Sequence, residues 1–347
     1  MTLRKRVYTD WEDRVLIYAY RDADGTERLC MQRDAESAAC TLLGSGSLYE
    51  LAVDADRKRI ALVDAVAAIV DETAQVDLAQ LARDGRLLSP IRHPDPAHMY
   101  LTGTGLTHRA SAESRDRMHA ASTAGNDTDT IRMYRIGEEG GRCDDDAPGA
   151  APEWFYKGDG STLVAPGAAL ESPCFALDGG EETEVAGIYL IGHDGTPRRI
   201  GFALANEFSD HVIEKANYLY LAHSKLRPSS IGPAILLGDL PETIAGSTRI
   251  RRGGETIWEA PFASGEAHMC HEVANLEHHH FKYELFRRPG DLHVHYFGAA
   301  TVSFGDGITI EAGDTIEIAS EAFGAPLFNT VTRSAADSRK LVRVTPL

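Results

Sequence analysis

The chain has 347 residues, of which 43% are hydrophobic and 25% are charged, so it can bury a large core and is not a disordered protein. Its 52 acidic residues outnumber its 35 basic residues and give a formal charge of -17. Such a charge disfavours nucleic acid or an anionic membrane as the main partner, although a cation or a local lysine could still hold a small acidic substrate. No apolar run approaches the roughly 20 residues of a membrane span, and the basic residues near the N-terminus lead into acidic ones, so we expect neither a membrane anchor nor a signal peptide.

The cysteines are widely spaced and form no C-x-x-C pair; they are Cys30, Cys40, Cys143, Cys174 and Cys270. This spacing fits neither a disulfide framework nor a structural zinc site. We therefore expect a reducing compartment and a cytoplasmic location.

Residues 1–95 predict a small N-terminal α/β domain. A strand at 15–20, a turn at 22–25 and a second strand at 28–32 together suggest a hairpin. Apolar residues at 62, 66, 69 and 70 recur at helical spacing and predict an amphipathic helix. The proline-rich segment 89–96 breaks both patterns, and we place a domain boundary at residue 95.

Residues 96–347 predict a larger, β-rich domain. The predicted strands are short and mostly buried, and they lie at 99–101, 185–191, 200–205, 234–237, 248–252 and 255–260, with two or three more near the C-terminus around a turn at 313–314. A polar helix near 112–121, an exposed loop at 137–152 and a long helix near 266–286 are predicted between them. This order predicts an α+β protein with few helices rather than a doubly wound parallel sheet.

Three carboxylates lie at the ends of two predicted strands. Glu182 and Glu184 are two residues apart at the start of one strand, so they point to the same face, and Glu207 follows the other strand. Converging carboxylates repel one another unless a cation lies between them, and an oxygen-only site suits magnesium, manganese or calcium better than zinc. The alternative is a solvated acidic edge, which the spacing alone favours.

Two further segments are candidates for chemistry. Lys225 precedes a buried strand within a segment marked by proline and glycine, so it could face a pocket, where desolvation and a nearby metal would make it a base; the alternative is a surface lysine. The glycines of 155–161 could present backbone N–H groups to a carboxylate, or form an ordinary turn.

The segment 103–108 fails the G-x-G-x-x-G dinucleotide pattern, and His271-Glu272 lacks the second histidine of a zincin helix.

The order of these motifs resembles that of the fumarylacetoacetate hydrolase superfamily over roughly residues 96–335. The matching segments, each weak alone, are Phe-x-Lys-x-x-x-Ser at 155–161, Glu-x-Glu at 182–184, Asn-Glu-x-Ser at 206–209, the lysine loop at 225–233, Gly-Asp at 313–314 and Gly-x-x-Leu-x-Asn-x-Val at 324–331. The resemblance implies a β-rich mixed β-roll catalytic domain over residues 96–347.

The resemblance also implies the parts of the site. A divalent cation, Mg²⁺ with Mn²⁺ possible, would bind Glu182, Glu184 and Glu207, although the family more often has Asp at the third position, and Lys225 would be the active-site lysine. The substrate would be a small 2-oxo acid, and the assembly a homodimer or homotetramer. The residues expected to contact the substrate are Lys157, Gly158, Asp159, Ser161, Ser229, Ser230 and Thr301.

The segments 102–108, 115–119 and 153–157 are similar to those of the sugar-acid branch of this superfamily, which includes 2-keto-3-deoxypentonate dehydratases. Hydrolases of the superfamily often carry a His–Glu pair three residues apart that activates water, but His108 and Glu113 here are five residues apart, and such residues diverge on a helix. We therefore predict a metal-dependent lyase that dehydrates a 2-keto-3-deoxypentonate to 2-oxoglutarate semialdehyde. Lys225 would be the base, with Glu153 and His108 as candidate acids.

Three alternatives remain open from the sequence. The first is a C–C bond hydrolase of the same superfamily that acts on an acylpyruvate or a 2,4-diketo-3-deoxy sugar acid. The second is a decarboxylase or isomerase of a 2-oxo acid, and the third is a non-enzymatic metal-binding protein.

Overall fold

The computed structural model describes residues 14–34, 37–44, 46–109, 112–113, 128–144, 147–335 and 340–347. Its strands are β1 Val15–Arg21, β2 Glu27–Gln32, β3 Ala39–Leu42, β4 Val70–Val76, β5 Met99–Gly105, β6 Glu153–Asp159, β7 Leu163–Val164, β8 Ala169–Ser172, β9 Thr183–Ile191, β10 Pro197–Asn206, β11 Ser229–Ile231, β12 Ala234–Leu237, β13 Ile244–Arg252, β14 Glu255–Ser264, β15 Leu292–Tyr296, β16 Thr315–Ala319 and β17 Leu327–Arg333.

The described residues form fewer α-helices than strands. The α-helices are α1 Leu48–Lys58, α2 Leu62–Ala67, α3 Leu78–Arg83, α4 Asp129–Gly140, α5 His211–Ala216, α6 Leu221–Lys225 and α7 Val273–Phe281. The 3₁₀ turns are Pro96–His98, Gly160–Thr162, Tyr218–Tyr220, Glu266–His268, Glu284–Phe286, Ser303–Asp306 and Glu321–Phe323. No helix in the described ranges is long and apolar enough to cross a lipid bilayer. The α+β class expected from the sequence is confirmed.

The described strands form two mixed sheets. The larger has the order β4-β3-β2-β1-β12-β10-β9-β15-β5-β6, with β11 attached to β10 and β7 attached to β11. The smaller has the order β14-β13-β16-β17-β8. Because β1 pairs antiparallel with β12, the strands of residues 1–95 continue the sheet of the following residues. A domain boundary at residue 95 therefore stays a prediction about independent folding, since the sheet itself runs across it.

The hydrophobic core has two main parts, one on each face of the large sheet. Phe202 and Leu204 of β10 pack with Ile250 and Ile316 of the small sheet. On the opposite face, residues such as Ile188 pack against α1 and α2 in a second cluster. Every residue of β9 is buried, because the strand is central in the sheet and covered on both faces. The apolar run that makes β9 recognisable in the sequence is a consequence of this double burial.

Several predicted elements are confirmed. Strands 15–20, 28–32, 185–191, 200–205 and 234–237 all lie within strands of the structure, and the predicted hairpin corresponds to β1 and β2. The predicted strands 248–252 and 255–260 lie within the antiparallel pair β13 and β14. Three strands follow residue 290, with a turn at residues 312–313. The predicted polar helix at 112–121 falls mostly outside the described residues.

Three predicted elements are wrong in extent. The helix predicted over 62–70 ends at Ala67, because Val70 pairs with Leu42 and begins β4. The helix predicted over 266–286 is interrupted by an extended segment, since the backbone N–H of Cys270 donates to Thr107 O and that of Glu272 to Gly141 O. Long-range backbone pairing thus overrides local helical preference at both places.

The loop predicted over 137–152 is also wrong at its start, because α4 extends to Gly140. A Cβ atom at Gly137 would lie 2.6 Å from Cys270 Sγ and 2.7 Å from His271 Nε2. The glycine that suggested a loop therefore allows a helix to pack closely against residues 270–271.

Candidate active site

The antiparallel register of β9 and β10 brings three carboxylates together. Thr183 lies opposite Asn206, and the backbone N–H of Glu207 donates to Glu182 O at 3.0 Å, so the pairing continues one residue beyond the strands. One carboxylate oxygen from each of Glu182, Glu184 and Glu207 lies within 4.8 Å of the others. The three residues are at most 5% exposed, which excludes the solvated acidic edge.

Two buried lysines contact this carboxylate cluster. Lys225 Nζ donates to Glu182 Oε1 and, at 2.8 Å, to Glu207 Oε2. Lys157 Nζ lies 3.1 Å from Glu207 Oε1 and also donates to Phe208 O. A buried charge is costly unless it is paired, so each lysine offsets part of the negative charge of the cluster.

Glu184 keeps one carboxylate oxygen without a partner. Its Oε2 accepts from the backbone N–H of Gly298 at 2.8 Å, whereas its buried Oε1 has no hydrogen-bond partner among the described residues. Burial and the charges of Glu207 and Glu182 raise the pKa of Glu184 well above its usual range. Burial likewise raises the pKa of Glu207 to about 7, although Lys225 and Lys157 oppose the shift.

These properties fit a divalent cation. Three buried carboxylates face two lysines, one carboxylate oxygen is unpartnered, and the clustered carboxylates supply only oxygen ligands. Hard cations such as Mg²⁺ prefer such oxygens. A cation at this position would satisfy the free oxygen of Glu184 and remove the repulsion that raises its pKa.

The segment 210–227, which we call the strap, supplies Lys225. It runs from Asp210 through α5, the 3₁₀ turn Tyr218–Tyr220 and α6 to Arg227. A buried ion pair of 2.9 Å between Arg227 Nη2 and Asp210 Oδ2 joins its two ends, and the backbone N–H of Asp210 donates to Ser224 O at 3.1 Å. The two ends of the strap are therefore held together by an ion pair and a backbone hydrogen bond.

His211, on the same strap, is a site residue that the sequence analysis missed. Its Nε2 lies 3.2 Å from Glu182 Oε1, and its Nδ1 lies 3.8 Å from Asp178 Oδ2. Burial lowers the pKa of His211, but the two carboxylates outweigh burial and raise it to about 10. The only sequence signal was its position directly after the Asn-Glu-Phe-Ser motif at 206–209, and that position does not identify a partner.

Strand β6 places Glu153 and Lys157 along one buried face. Glu153, Phe155 and Lys157 are buried alternate residues, and the Phe155 ring lies 4.8 Å from Lys225 Nζ. Glu153 Oε1 accepts a hydrogen bond of 2.7 Å from Tyr218 of the strap, a contact that could not be predicted from the sequence.

The loop residues after Lys157 have mainly local contacts. Gly158 has φ of 143°, a left-handed value that favours glycine, and a register shift in the β5–β6 pairing lies beside it. Asp159 caps the following 3₁₀ turn by accepting from the backbone N–H of Ser161 at 2.9 Å, and Ser161 is exposed.

The other predicted substrate-contacting residues lie on neighbouring strands and loops. Ser229 Oγ accepts from Tyr296 Oη at 2.7 Å, and Ser230 Oγ donates to Val164 O at 3.1 Å. Thr301 O lies 3.3 Å from the backbone N of Thr183, which places Thr301 beside the start of β9.

His108 and Glu113 do not form the pair that a hydrolase of this type uses. His108 is buried on the loop after β5, with Nδ1 2.9 Å from Thr107 Oγ1 and Nε2 3.0 Å from Ser264 Oγ. Burial lowers the pKa of His108 to about 4, so its ring is neutral at pH 7. Glu113 is exposed and lies 3.6 Å from Arg109 Nε.

The sequence comparisons give one partial relative. No protein-family model matches the chain. A probable 2-keto-3-deoxyxylonate dehydratase of Haloferax volcanii is 29% identical over 194 residues, which cover 52% of this chain and 60% of that protein. The chain therefore matches about three fifths of the length of this curated relative.

Solved structures resemble the chain over nearly its whole length. A 2-keto-3-deoxy-D-arabinonate dehydratase in its apo form has a TM-score of 0.67 at 17% identity and covers 93% of this chain and 100% of its own. A structure of a dehydratase of that name complexed with magnesium and 2,5-dioxopentanoate has a TM-score of 0.66 at 17% identity, covering 92% and 99%. A 5-carboxymethyl-2-hydroxymuconate delta-isomerase from Mycobacterium smegmatis has a TM-score of 0.56 at 16% identity, covering 92% and 100%. The chain has the fold of these proteins, as the resemblance in sequence implied.

Proposed function

We propose that this protein is a metal-dependent lyase that removes water from a 2-keto-3-deoxypentonate and forms 2-oxoglutarate semialdehyde. The observation that carries the proposal is the buried cluster of Glu182, Glu184 and Glu207, which two lysines only partly neutralise. The fold shared with 2-keto-3-deoxy-D-arabinonate dehydratase supports the same class of reaction. We further propose that the reaction belongs to oxidative pentose catabolism in the cytoplasm and that the enzyme is a homodimer or homotetramer.

We assign the cation to the carboxylate cluster. Glu182, Glu184 and Glu207 would hold Mg²⁺, with Mn²⁺ as a substitute. When bound, such an ion supplies Lewis-acid stabilisation of negative charge on a keto oxygen. Lys157, buried against Glu207, adds a fixed positive charge on the side of β6, where a substrate carboxylate would gain from it.

Lys225 is our candidate base. Its Nζ lies at the edge of the cluster, between Glu182 and Glu207 and beside the Phe155 ring. A cation bound by the same carboxylates would favour the neutral amine of Lys225 through its charge. In that form the lysine can take the proton from C3 of a 2-oxo acid, because the carbonyl at C2 makes that proton acidic. The aromatic ring keeps water away from the amine, so the transfer takes place in a desolvated environment.

Glu153 is our candidate acid for the C4 hydroxyl. It is buried on the same face of β6 as Lys157, and Tyr218 fixes one of its oxygens. Transfer of its proton lets the hydroxyl leave as water and forms a C3=C4 double bond conjugated with the C2 carbonyl. Movement of a proton from C5 to C3 then gives the C4=C5 enol, which tautomerises to the product aldehyde. His108 is the weaker candidate, because its ring is neutral at pH 7 and its nitrogens lie within hydrogen-bond distance of Thr107 and Ser264.

The remaining residues predicted to contact the substrate would lie along its carbon chain. Ser229, Ser230 and Thr301 lie on segments that adjoin β10 and the start of β9, where hydroxyl groups could bind the sugar-acid hydroxyls. Gly158, Asp159 and Ser161 would act through the backbone shape of the loop after Lys157, since their side-chain contacts are local.

The test is a product assay with purified protein and Mg²⁺. D- and L-2-keto-3-deoxypentonates are supplied separately, and an acylpyruvate is supplied as the hydrolase substrate. We expect 2-oxoglutarate semialdehyde from one pentonate and no pyruvate from the acylpyruvate. Release of pyruvate without dehydration of either pentonate would instead establish the C–C hydrolase.

A further inference from the structure

We infer that His211, supported by Asp178, is a positioning residue that fixes the carboxylate of Glu182 for the cation. The inference rests on the proposed function, because it concerns the same carboxylate cluster. His211 is not assigned to the substrate or to the reacting atoms, so its effect is expected in cation affinity rather than in the chemical step.

The contact between His211 and Glu182 is buried and continues to a third residue. His211 Nε2 lies 3.2 Å from Glu182 Oε1, and His211 Nδ1 lies 3.8 Å from Asp178 Oδ2, an ion-pair distance. The three residues are 3%, 5% and 8% exposed, in the order His211, Glu182 and Asp178. In such surroundings a hydrogen bond to a carboxylate is stronger than in water, and it orients the group it binds.

The imidazole ring has little room to move. A Cβ atom on Gly180 would lie 2.3 Å from His211 Nδ1, so the backbone at Gly180 approaches the ring closely. The Phe304 ring lies 5.2 Å from the imidazole centroid. Gly180 and Ser209 exchange two backbone hydrogen bonds of 2.9 Å, which extend the β9–β10 pairing past Glu182 and Glu207. The same backbone therefore places the histidine and the carboxylates.

The two residues that contact Glu182 Oε1 have different roles. Lys225 and His211 both contact Glu182 Oε1, so together they set the rotation of the carboxylate. Lys225 is also the proposed base, and it must turn toward the substrate to react. His211 has no other role in the proposed reaction, so it can keep its contact with Glu182 through every step. Residues that orient a metal ligand in this way typically change cation affinity by about 10–100-fold when they are removed.

The experiment compares cation binding by the full-length protein and its variants. Mg²⁺ titration calorimetry gives the dissociation constant, and Mn²⁺ electron paramagnetic resonance counts bound ions. We expect His211→Leu to weaken Mg²⁺ binding by about 10–100-fold. His211→Gln, which can keep an N–H donor at the position of Nε2, should recover most of that loss. At saturating Mg²⁺, kcat should fall much less than the cation affinity.

A matched control is available in the turn that connects β9 and β10, at the opposite end of this strand pair from the carboxylates. His193 Nδ1 lies 2.7 Å from Asp56 Oδ2, so it is another histidine bound to a carboxylate, but Asp56 is no part of the cluster. His193→Leu should leave Mg²⁺ affinity unchanged. Wild-type affinity in His211→Leu, or equal losses in His211→Leu and His211→Gln, would overturn the inference.

A second variant covers the case in which His211→Leu does not fold. Asp178→Asn keeps the histidine and removes only its carboxylate support, so we expect a loss of affinity that is smaller than in His211→Leu. No loss in that variant would contradict the role of Asp178. Failure of the proposed function is separate, because cation affinity is measured without substrate: a wild-type protein that binds Mg²⁺ but dehydrates no pentonate refutes the reaction and leaves the role of His211 intact.

Discussion

The β9–β10 hairpin and the strap supply charged groups to the same site in different ways. The hairpin holds Glu182, Glu184 and Glu207 on fully buried backbone in the middle of a sheet. The strap delivers Lys225 from short helical turns, and its Leu219 is 84% exposed. In the proposed function the carboxylates therefore stay fixed on the sheet, while the base, Lys225, lies on an element with an exposed tip.

The largest effect is expected on the hairpin side. Glu184→Gln should abolish Mg²⁺ binding and activity, because it removes the ligand oxygen that has no other partner. Glu181→Gln is the matched control, since Glu181 is equally buried but contacts Ser303 instead of the cluster. Calorimetry and the pentonate assay measure both variants. Full activity of Glu184→Gln in the presence of a chelator would show that the enzyme does not use a cation at this site.

On the strap side, Lys225→Met should lower kcat by at least about 100-fold, the scale on which a general base contributes. Substrate affinity should fall less, because the cation and Lys157 bind the substrate independently of the base. Lys215→Met, elsewhere on the strap, is the control and should keep kcat. Steady-state kinetics at saturating Mg²⁺ measure kcat for both variants. An unchanged kcat in Lys225→Met would show that another residue is the base.

The ion pair that joins the two ends of the strap can be tested separately. Arg227→Met leaves the carboxylate of Asp210 buried without its partner, and loss of one member of such a pair costs about 3–5 kcal/mol of unfolding free energy. Arg249→Met, whose ion pairs are partly exposed, should cost less than about 1 kcal/mol. Urea unfolding measures both. Equal stability of the two variants would show that the strap does not depend on its buried ion pair.

A smaller effect is expected where the strap meets β6. Tyr218→Phe removes the hydrogen bond to Glu153, a loss of about 1 kcal/mol or roughly fivefold in kcat, with little change in KM. Tyr220→Phe is the control from the same 3₁₀ turn. If both variants keep the wild-type kcat, Glu153 does not need the strap for its position.

The smallest effect concerns the outer end of the hairpin. Burial opposes ionisation of Asp56, but hydrogen bonds from His193 and Arg198 outweigh it and lower the pKa of Asp56 to about 2. A lowered folded-state pKa stabilises the protein above the unfolded value of about 3.9, and that stability is lost as pH falls from about 4 toward 2. Asp56→Asn should therefore reduce stability at pH 7 and weaken its acid dependence. Melting curves between pH 7 and pH 3 test this, and parallel curves for the two proteins would contradict it.

The sequence predicted the hairpin better than the strap, for a physical reason. Apolar runs mark β9 and β12 because both strands are buried on two faces, and the spacing of Glu182 and Glu184 follows from strand geometry. The contact of Tyr218 with Glu153 joins residues 65 positions apart through a 3₁₀ turn that has no periodic signal. His211 was missed for the same reason, since its partners are set by tertiary packing. The motif order located Lys225, but its contacts with two glutamates came only from the structure.

The pairing of β1 with β12 has a consequence for how the chain is made on the ribosome. Leu16 lies opposite Leu236, so β1 waits for a strand that is synthesised about 220 residues later. At translation rates of about 5–20 residues per second, that interval lasts roughly 10–40 s, during which β1 and β2 have an open edge beside them. Such an edge attracts other nascent chains, and pairing over so long a separation in sequence is slow. Completion of the large sheet is therefore expected to be a late event in biosynthesis, and the N-terminal strands are the part of the nascent chain most in need of a chaperone.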